Sequence, residues 1–213
     1  MERFGGVFLV AGILFFVFAG VVMGVVPYLH FRDLPIQRAE ALAATVMEDF
    51  KDLEARWPES FREAFPGGPT TENAAAALRE GRDVYASEAC WHCHSQFIRP
   101  VSNEDLRWGK ISYPAEYHNE LQLPPLLGTR RVGPDLIREA GRHTNDWHAA
   151  HFFNPRFVSP SSVMPPFPWL YRAPRRPDGP PEFNRRGFAL ATYVDWLGSW
   201  VGKEGEGAGA SRN

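Results

Sequence analysis

The chain has 213 residues, enough for one domain with additional segments. Its formal net charge at pH 7 is −2, so the charge balance gives no support for nucleic-acid binding. The 19 prolines and 19 glycines indicate a fold that is rich in loops.

The first predicted element is an uncharged apolar run over residues 4–26. As a helix it would extend about 35 Å, compared with a bilayer hydrocarbon core of about 30 Å. The run is longer than the apolar region of a signal peptide, and no small-x-small cleavage site follows it. We therefore predict a transmembrane anchor over residues 1–30, with a cleaved signal peptide as the alternative.

Residues 35–57 carry apolar side chains at steps of three and four, the spacing of one helix face. This stripe consists of Ala39, Leu42, Val46, Phe50, Leu53 and Trp57. The pattern predicts one amphipathic helix that ends before Pro58. Its apolar face either docks a partner subunit or packs on the protein's own domain, and the sequence leaves both open. Residues 31–71 are thus predicted to hold this helix and a linker, which the run 66–69 (Pro-Gly-Gly-Pro) marks.

Two further helices are predicted, one at each end of the main domain. The first covers residues 71–89, with Thr71 as its cap, and the second covers residues 186–201. A glycine and three aromatic residues predict that these helices cross: Gly81, Tyr85, Tyr193 and Trp196. Residues 202–213 are rich in Gly, Glu and Ser and are predicted to be disordered.

The most informative motif is Cys90-Trp91-His92-Cys93-His94, directly after the first of these helices. Cys-x-x-Cys-His is the attachment site of a c-type haem. Both thiols bond the haem vinyl groups, and the adjacent imidazole becomes an axial iron ligand. Since both cysteines of the chain lie in this motif, we predict one covalently bound haem c, held by Cys90, Cys93 and His94.

Two other interpretations of the cysteine pair are open. A zinc site would need a second pair of ligands, for which only His148 and His151 are available. A thioredoxin-like redox pair needs no adjacent histidine and is expected near a βαβ pattern, which this sequence lacks.

The loop around Gly133-Pro134 is expected to support the histidine of the motif. We predict that the Pro134 carbonyl accepts a hydrogen bond from the His94 imidazole and fixes its orientation. Arg130 and Arg131 precede this loop and are predicted to neutralise haem propionates, with ordinary surface arginines as the alternative.

The second axial iron ligand is predicted to be Met164, which lies in a proline-rich loop with Pro165, Pro166 and Pro168. Prolines stiffen the loop, so less entropy is lost in holding the sulfur on the iron. His/Met ligation raises the reduction potential. The alternatives are an open position or a histidine from the set His118, His143, His148 and His151.

With these motifs, the chain resembles the mono-haem membrane-anchored subunit (subunit II) of cbb3-type cytochrome c oxidases. The similarity spans roughly residues 78–171 and is most specific in three segments: Cys93-His94-Ser95-Gln96-Phe97-Ile98-Arg99-Pro100, Arg131-Val132-Gly133-Pro134-Asp135-Leu136 and Met164-Pro165-Pro166-Phe167-Pro168-Trp169-Leu170. The resemblance implies that Cys90 and Cys93 are the thioether positions and that His94 and Met164 are the axial ligands.

The resemblance also implies a fold, a role and partners. The expected fold is mainly α, with a single N-terminal transmembrane helix followed by a cytochrome c-like haem domain over residues 72–201. The subunit would pass single electrons to a polytopic haem–copper subunit, with a dihaem or soluble cytochrome c as donor and no catalytic residues of its own. Because haem c is attached outside the cytoplasm, the N-terminus is expected in the cytoplasm and the haem domain in the periplasm of a bacterial inner membrane.

Two segments depart from the family's pattern. The acidic helix at 35–57 replaces a shorter connection, and residues 118–128 lack the aromatic-Trp-Gly approach to the Arg-x-Gly-Pro motif. An equivalent subunit of another complex, such as a nitric oxide reductase, is therefore an alternative. A haem-based ligand sensor with a labile sixth position is a second alternative, from a different functional class.

Overall fold

A computed structural model describes residues 4–174 and 181–200, and the chain divides into two compact units after Ile36. The first unit contains helix α1, Gly5–Phe31, whose 18-residue window reaches a mean hydropathy of 2.8. Its 27 residues correspond to about 40 Å, so length and composition suit a membrane span. A π-helical turn, Val21–Val25, interrupts its α-helical pattern.

The second unit is mainly helical, which confirms the predicted fold class. Its α-helices are α2 (Ala39–Ala43), α3 (Met47–Arg56), α4 (Pro58–Ala64), α5 (Thr71–Ser87), α6 (Glu104–Trp108), α7 (Asn145–Phe153) and α8 (Arg185–Trp196). Strands β1 (Tyr171–Arg172) and β2 (Glu182–Phe183) form an antiparallel pair, with Tyr171 opposite Phe183. The 3₁₀ turns are Cys90–His92, Pro114–Tyr117, Glu120–Gln122, Pro155–Phe157 and Pro168–Leu170.

The prediction of one helix over residues 35–57 was wrong, because the chain forms α2 and α3 with a break at residues 44–46. The Thr45 hydroxyl donates to the Leu42 carbonyl at 2.8 Å, a local bond that competes with helix continuation. Val46, with φ −114° and ψ 6°, then starts α3, and acidic residues in the first turn suit the helix dipole.

The apolar stripe of α2 and α3 is part of the protein's own core. Five of its members have at most 4% of their surface exposed: Ala39, Leu42, Val46, Phe50 and Leu53. Phe50 contacts Phe61 and Phe65 edge to face, with ring centroids 4.9 and 5.4 Å apart. The structure therefore favours internal packing over a docking face for this stripe.

Helices α5 and α8 cross at Gly81, as the sequence predicts. A Cβ atom at this position would lie 2.0 Å from the Ala189 carbonyl oxygen and 2.6 Å from the Tyr193 Cβ, so only glycine allows the contact. The Tyr85 and Tyr193 rings pack beside it, with centroids 5.5 Å apart. This crossing anchors the start of the cysteine motif, which follows α5.

The ends of these two helices differ from the prediction by a few residues. The cap of α5 is Thr70 rather than Thr71, since the Thr70 hydroxyl accepts from the Asn73 amide at 3.2 Å. Helix α8 ends at Trp196, because Gly198 has a φ of +90° and turns the chain. Residues 202–213, predicted to be disordered, lie outside the described residues.

Candidate functional site

The cysteine motif lies in a tight turn that lines a cavity of about 680 Å³. Ala89 ends the preceding segment in the left-handed region, with φ 60°, and Cys90 begins the following 3₁₀ turn. Cys90, Cys93 and His94 all line the cavity. Its volume falls within the range of about 300–1,000 Å³ that is usual for cofactor pockets.

The surroundings of the cysteines do not favour the two alternatives to haem. Burial raises the pKa of the Cys90 thiol to about 12, whereas a redox-active cysteine has a lowered pKa. Among the described residues, no three or more His, Cys, Asp or Glu side chains converge as a metal site made of protein ligands alone.

The Gly133-Pro134 loop contacts the His94 ring and fixes its orientation. Its Nδ1 lies 2.9 Å from the Pro134 carbonyl oxygen, which only accepts, so Nδ1 carries the proton and Nε2 keeps its lone pair. A Cβ at position 133 would lie 2.3 Å from His94 Cε1, so glycine is needed for this close approach. Burial lowers the pKa of His94, which favours the neutral imidazole that binds metals.

Met164 lines the same cavity, 70 positions after His94 in the chain. Within its loop the Met164 amide donates to the Ser162 hydroxyl at 3.2 Å, and the loop is joined to α7 where the Phe167 amide donates to the Phe152 carbonyl at 2.9 Å. The cavity thus brings together the four side chains that the sequence selects as thioether positions and axial ligands, Cys90, Cys93, His94 and Met164. His118 is not among the described residues that line it.

Arg131 has a different environment from the one the sequence predicts. Its guanidinium donates to the Glu104 carboxylate at 2.8 Å and to the Ser95 hydroxyl at 2.5 Å. The pKa of Glu104 is lowered to about 2, first by Arg131. Arg130 is exposed, and neither arginine belongs to the described lining of the cavity, so the structure does not support their assignment to haem propionates.

No pattern in the sequence points to the hydrogen-bonded network that fixes the loop beside His94. The Asp135 carboxylate accepts from the Ser95 hydroxyl at 2.5 Å, the Phe97 amide at 3.0 Å and the Ile137 amide at 2.9 Å. Asp135 is 1% exposed. The network ties residues after the cysteine motif to residues 40 positions later, and Arg131 belongs to it.

Helix α7 adds a cluster of histidines to the cavity wall. Trp147 stacks between His143 and His151, with ring centroids 3.7 and 4.4 Å away. His143 Nδ1 contacts the buried Glu139 carboxylate. Burial lowers the pKa of His151 to about 4, so this side chain is neutral at pH 7.

His148 of the same helix is paired with Asp195, a residue that the sequence analysis did not single out. Its Nε2 lies 2.9 Å from Asp195 Oδ1, and the two residues are 1% and 3% exposed. The sequence offers no signal for this pair, because 47 positions separate its members and Asp195 lies on the buried side of α8.

Burial, and secondly the nearby negative charge of Asp195, raise the pKa of Asp49 on α3 to about 6. The unfolded value is near 3.8, so the folded state binds a proton more tightly, and stability falls as pH rises from about 4 to 6. We predict that Asp49→Asn stabilises the protein at pH 7.5 by about 1–2 kcal/mol, below the full ~3 kcal/mol of the shift because the residue is partly exposed.

Thermal unfolding in detergent at pH 4 and pH 7.5 tests this prediction, with the exposed Asp83→Asn as the control. The gain should appear at pH 7.5 and become small at pH 4, where Asp49 is protonated in the folded state and partly protonated in the unfolded state. An equal effect at the two pH values would contradict it.

Two comparisons with known proteins bear on this site. The family described as "Cytochrome C oxidase, mono-heme subunit/FixO" matches residues 71–178, a segment that includes the cysteine motif, the Gly133-Pro134 loop and Met164. Protein XRI1 from Arabidopsis thaliana is 26% identical over 150 residues, which cover 67% of this chain and 48% of that protein. The chain therefore spans about half the length of this relative. Because the family match covers half of the chain and contains every part of the cavity's ligand set, the protein belongs to the family of cytochrome c oxidase mono-haem subunits.

Proposed function

We propose that this protein is the membrane-anchored c-type cytochrome of a cbb3-type oxidase and passes single electrons to the catalytic subunit. Family membership implies one haem and a catalytic partner subunit, and the apolar helix α1 suggests membrane anchoring. The observation that carries the proposal is the cavity in which Cys90, Cys93, His94 and Met164 meet.

The residues present fit a covalently bound haem with His94 and Met164 as axial ligands. The cavity has cofactor size, Gly133 leaves room for the His94 ring, and the two thiols lie beside that histidine. When bound, the haem supplies the one-electron chemistry.

The chain's own residues position and tune that group. Pro134 holds the His94 ring by accepting its Nδ1–H, which also raises the basicity of the ligand nitrogen. The thioether of Met164 favours a high potential, as late respiratory electron transfer requires. Apolar side chains of the lining, such as Leu190 and Val194, exclude water and favour the less charged ferrous state.

The proposed direction is from a dihaem or soluble cytochrome c, through this haem, to a polytopic haem–copper subunit. The haem domain is proposed to lie in the periplasm of a bacterium, with the N-terminus in the cytoplasm, because haem c is attached outside the cytoplasm. The protein itself is proposed to carry no catalytic residues.

Replacing Met164 tests the ligand assignment. Met164→Ala is expected to keep the haem attached but to lower the midpoint potential by roughly 100 mV, a fraction of the ~0.8 V that axial ligands control. The open position should also bind carbon monoxide. Redox titration and absorption spectra of the purified complex measure both effects.

Met47→Ala is the matched control, because Met47 lies on α3 and is not part of the described cavity lining. It should leave the spectrum and the potential unchanged. A Met164→Ala protein with the wild-type spectrum and potential would refute the assignment.

A further inference from the structure

We propose that His148 binds a haem propionate and, as an imidazolium held by Asp195, supplies the positive charge of the haem cavity. This inference rests on the proposed function. Among the described residues that line the cavity, there is no lysine or arginine. Propionates are anionic, and a buried anion needs a hydrogen-bonded partner of opposite charge.

His148 is the lining residue best suited to this task. It is 1% exposed, and neither of its buried ring nitrogens makes a hydrogen bond of good geometry to the described residues, although Nε2 lies at ion-pair distance, 2.9 Å, from Asp195 Oδ1. A buried ring nitrogen without a partner is costly, so a partner is expected from the group that fills the cavity.

The chemistry of the pair sets the protonation of the ring. Asp195 Oδ1 lies 2.9 Å from Nε2, an ion-pair distance, and a carboxylate only accepts, so the proposal places a proton on Nε2. A propionate on Nδ1 also accepts, so Nδ1 needs a second proton. With a propionate bound, His148 would lie between two carboxylates, and the proposed imidazolium would make a charge-assisted contact with each of them.

The neighbouring histidines are less suited. His143 Nδ1 already contacts Glu139, and His92 is exposed. His151 also has a buried Nδ1 without a described partner, but its lowered pKa keeps it neutral, and no carboxylate contacts it among the described residues. Among the described charged groups, Asp195 of α8 and Asp49 of α3 provide the negative field that favours a cation at His148.

The test is redox-difference infrared spectroscopy on the purified membrane complex, with haem labelled by carbon-13 in its propionate carboxyls. In His148→Phe we expect the labelled carboxylate band to shift and the midpoint potential to fall, because an unbalanced propionate charge favours ferric iron. A role limited to packing would not move the labelled band. His118→Phe, at a position outside the described lining of the cavity, should match the wild type.

If His148→Phe does not fold, Asp195→Asn serves with the same two measurements and the same expected directions. A labelled band and a potential identical to the wild type in the folded variant would overturn the inference. That outcome leaves the proposed function intact, whereas a wild-type protein without covalent haem would overturn the proposed function itself.

Discussion

A chain in which Cys90 and Cys93 are both replaced by alanine is expected to hold no covalent haem. The two thiols lie in one turn beside His94 and line one cavity, and no other cysteine exists in the chain. Without thioether bonds, haem is retained only by axial ligation and packing, which denaturant disrupts. Haem staining of a denaturing gel should therefore fall from full intensity to background.

Met164→Ala is the control for this experiment, since it removes an axial ligand but neither thiol. Its haem stain should equal that of the wild type. Haem stain retained by the double cysteine variant at wild-type strength would rule out thioether attachment at these positions.

The substitution Gly81→Ala is expected to lower the free energy of unfolding by about 3 kcal/mol, more than any other substitution proposed for this protein. The added methyl group would lie 2.0 Å from the Ala189 carbonyl oxygen, and that atom belongs to helix backbone that cannot move without displacing α8. For a protein of this size, the loss corresponds to a fall of about 10 °C in the unfolding temperature. Thermal unfolding followed by circular dichroism measures it.

Gly141→Ala is the matched control, since it is the same substitution at a site with no atom within 4 Å of the added Cβ. Its φ of +72° costs about 1 kcal/mol for a residue other than glycine. An unfolding temperature for Gly81→Ala that is no lower than that of Gly141→Ala would contradict the close crossing of α5 and α8.

Local patterns in the sequence predict much of the fold. The apolar run of α1 and the helix before the cysteine motif follow from residues a few positions apart, and the crossing at Gly81 follows from two such local patterns, one in each helix. The break between α2 and α3 does not, because it depends on one hydroxyl, that of Thr45, bonding back to Leu42. The early end of α8 likewise depends on Gly198, where an added Cβ would lie 2.7 Å from the Ile137 carbonyl oxygen.

Some residues of the candidate site can likewise be predicted from local motifs, whereas others cannot. His94 and Pro134 are predictable, since each lies in a short motif with a known chemical task. The partners of Arg131 are not predictable, because Glu104 and Ser95 come close to it only through loop packing. The pairing of His148 with Asp195 depends on where α7 and α8 meet, a long-range contact that no local pattern records.

The central claim is that this chain carries one covalently attached haem c. Intact-mass spectrometry of the subunit isolated from the native membrane complex tests it most directly. The account predicts the mass of the polypeptide plus one haem, retained under denaturing conditions. A mass equal to that of the polypeptide alone, from a complex that still contains its other haem groups, would contradict it.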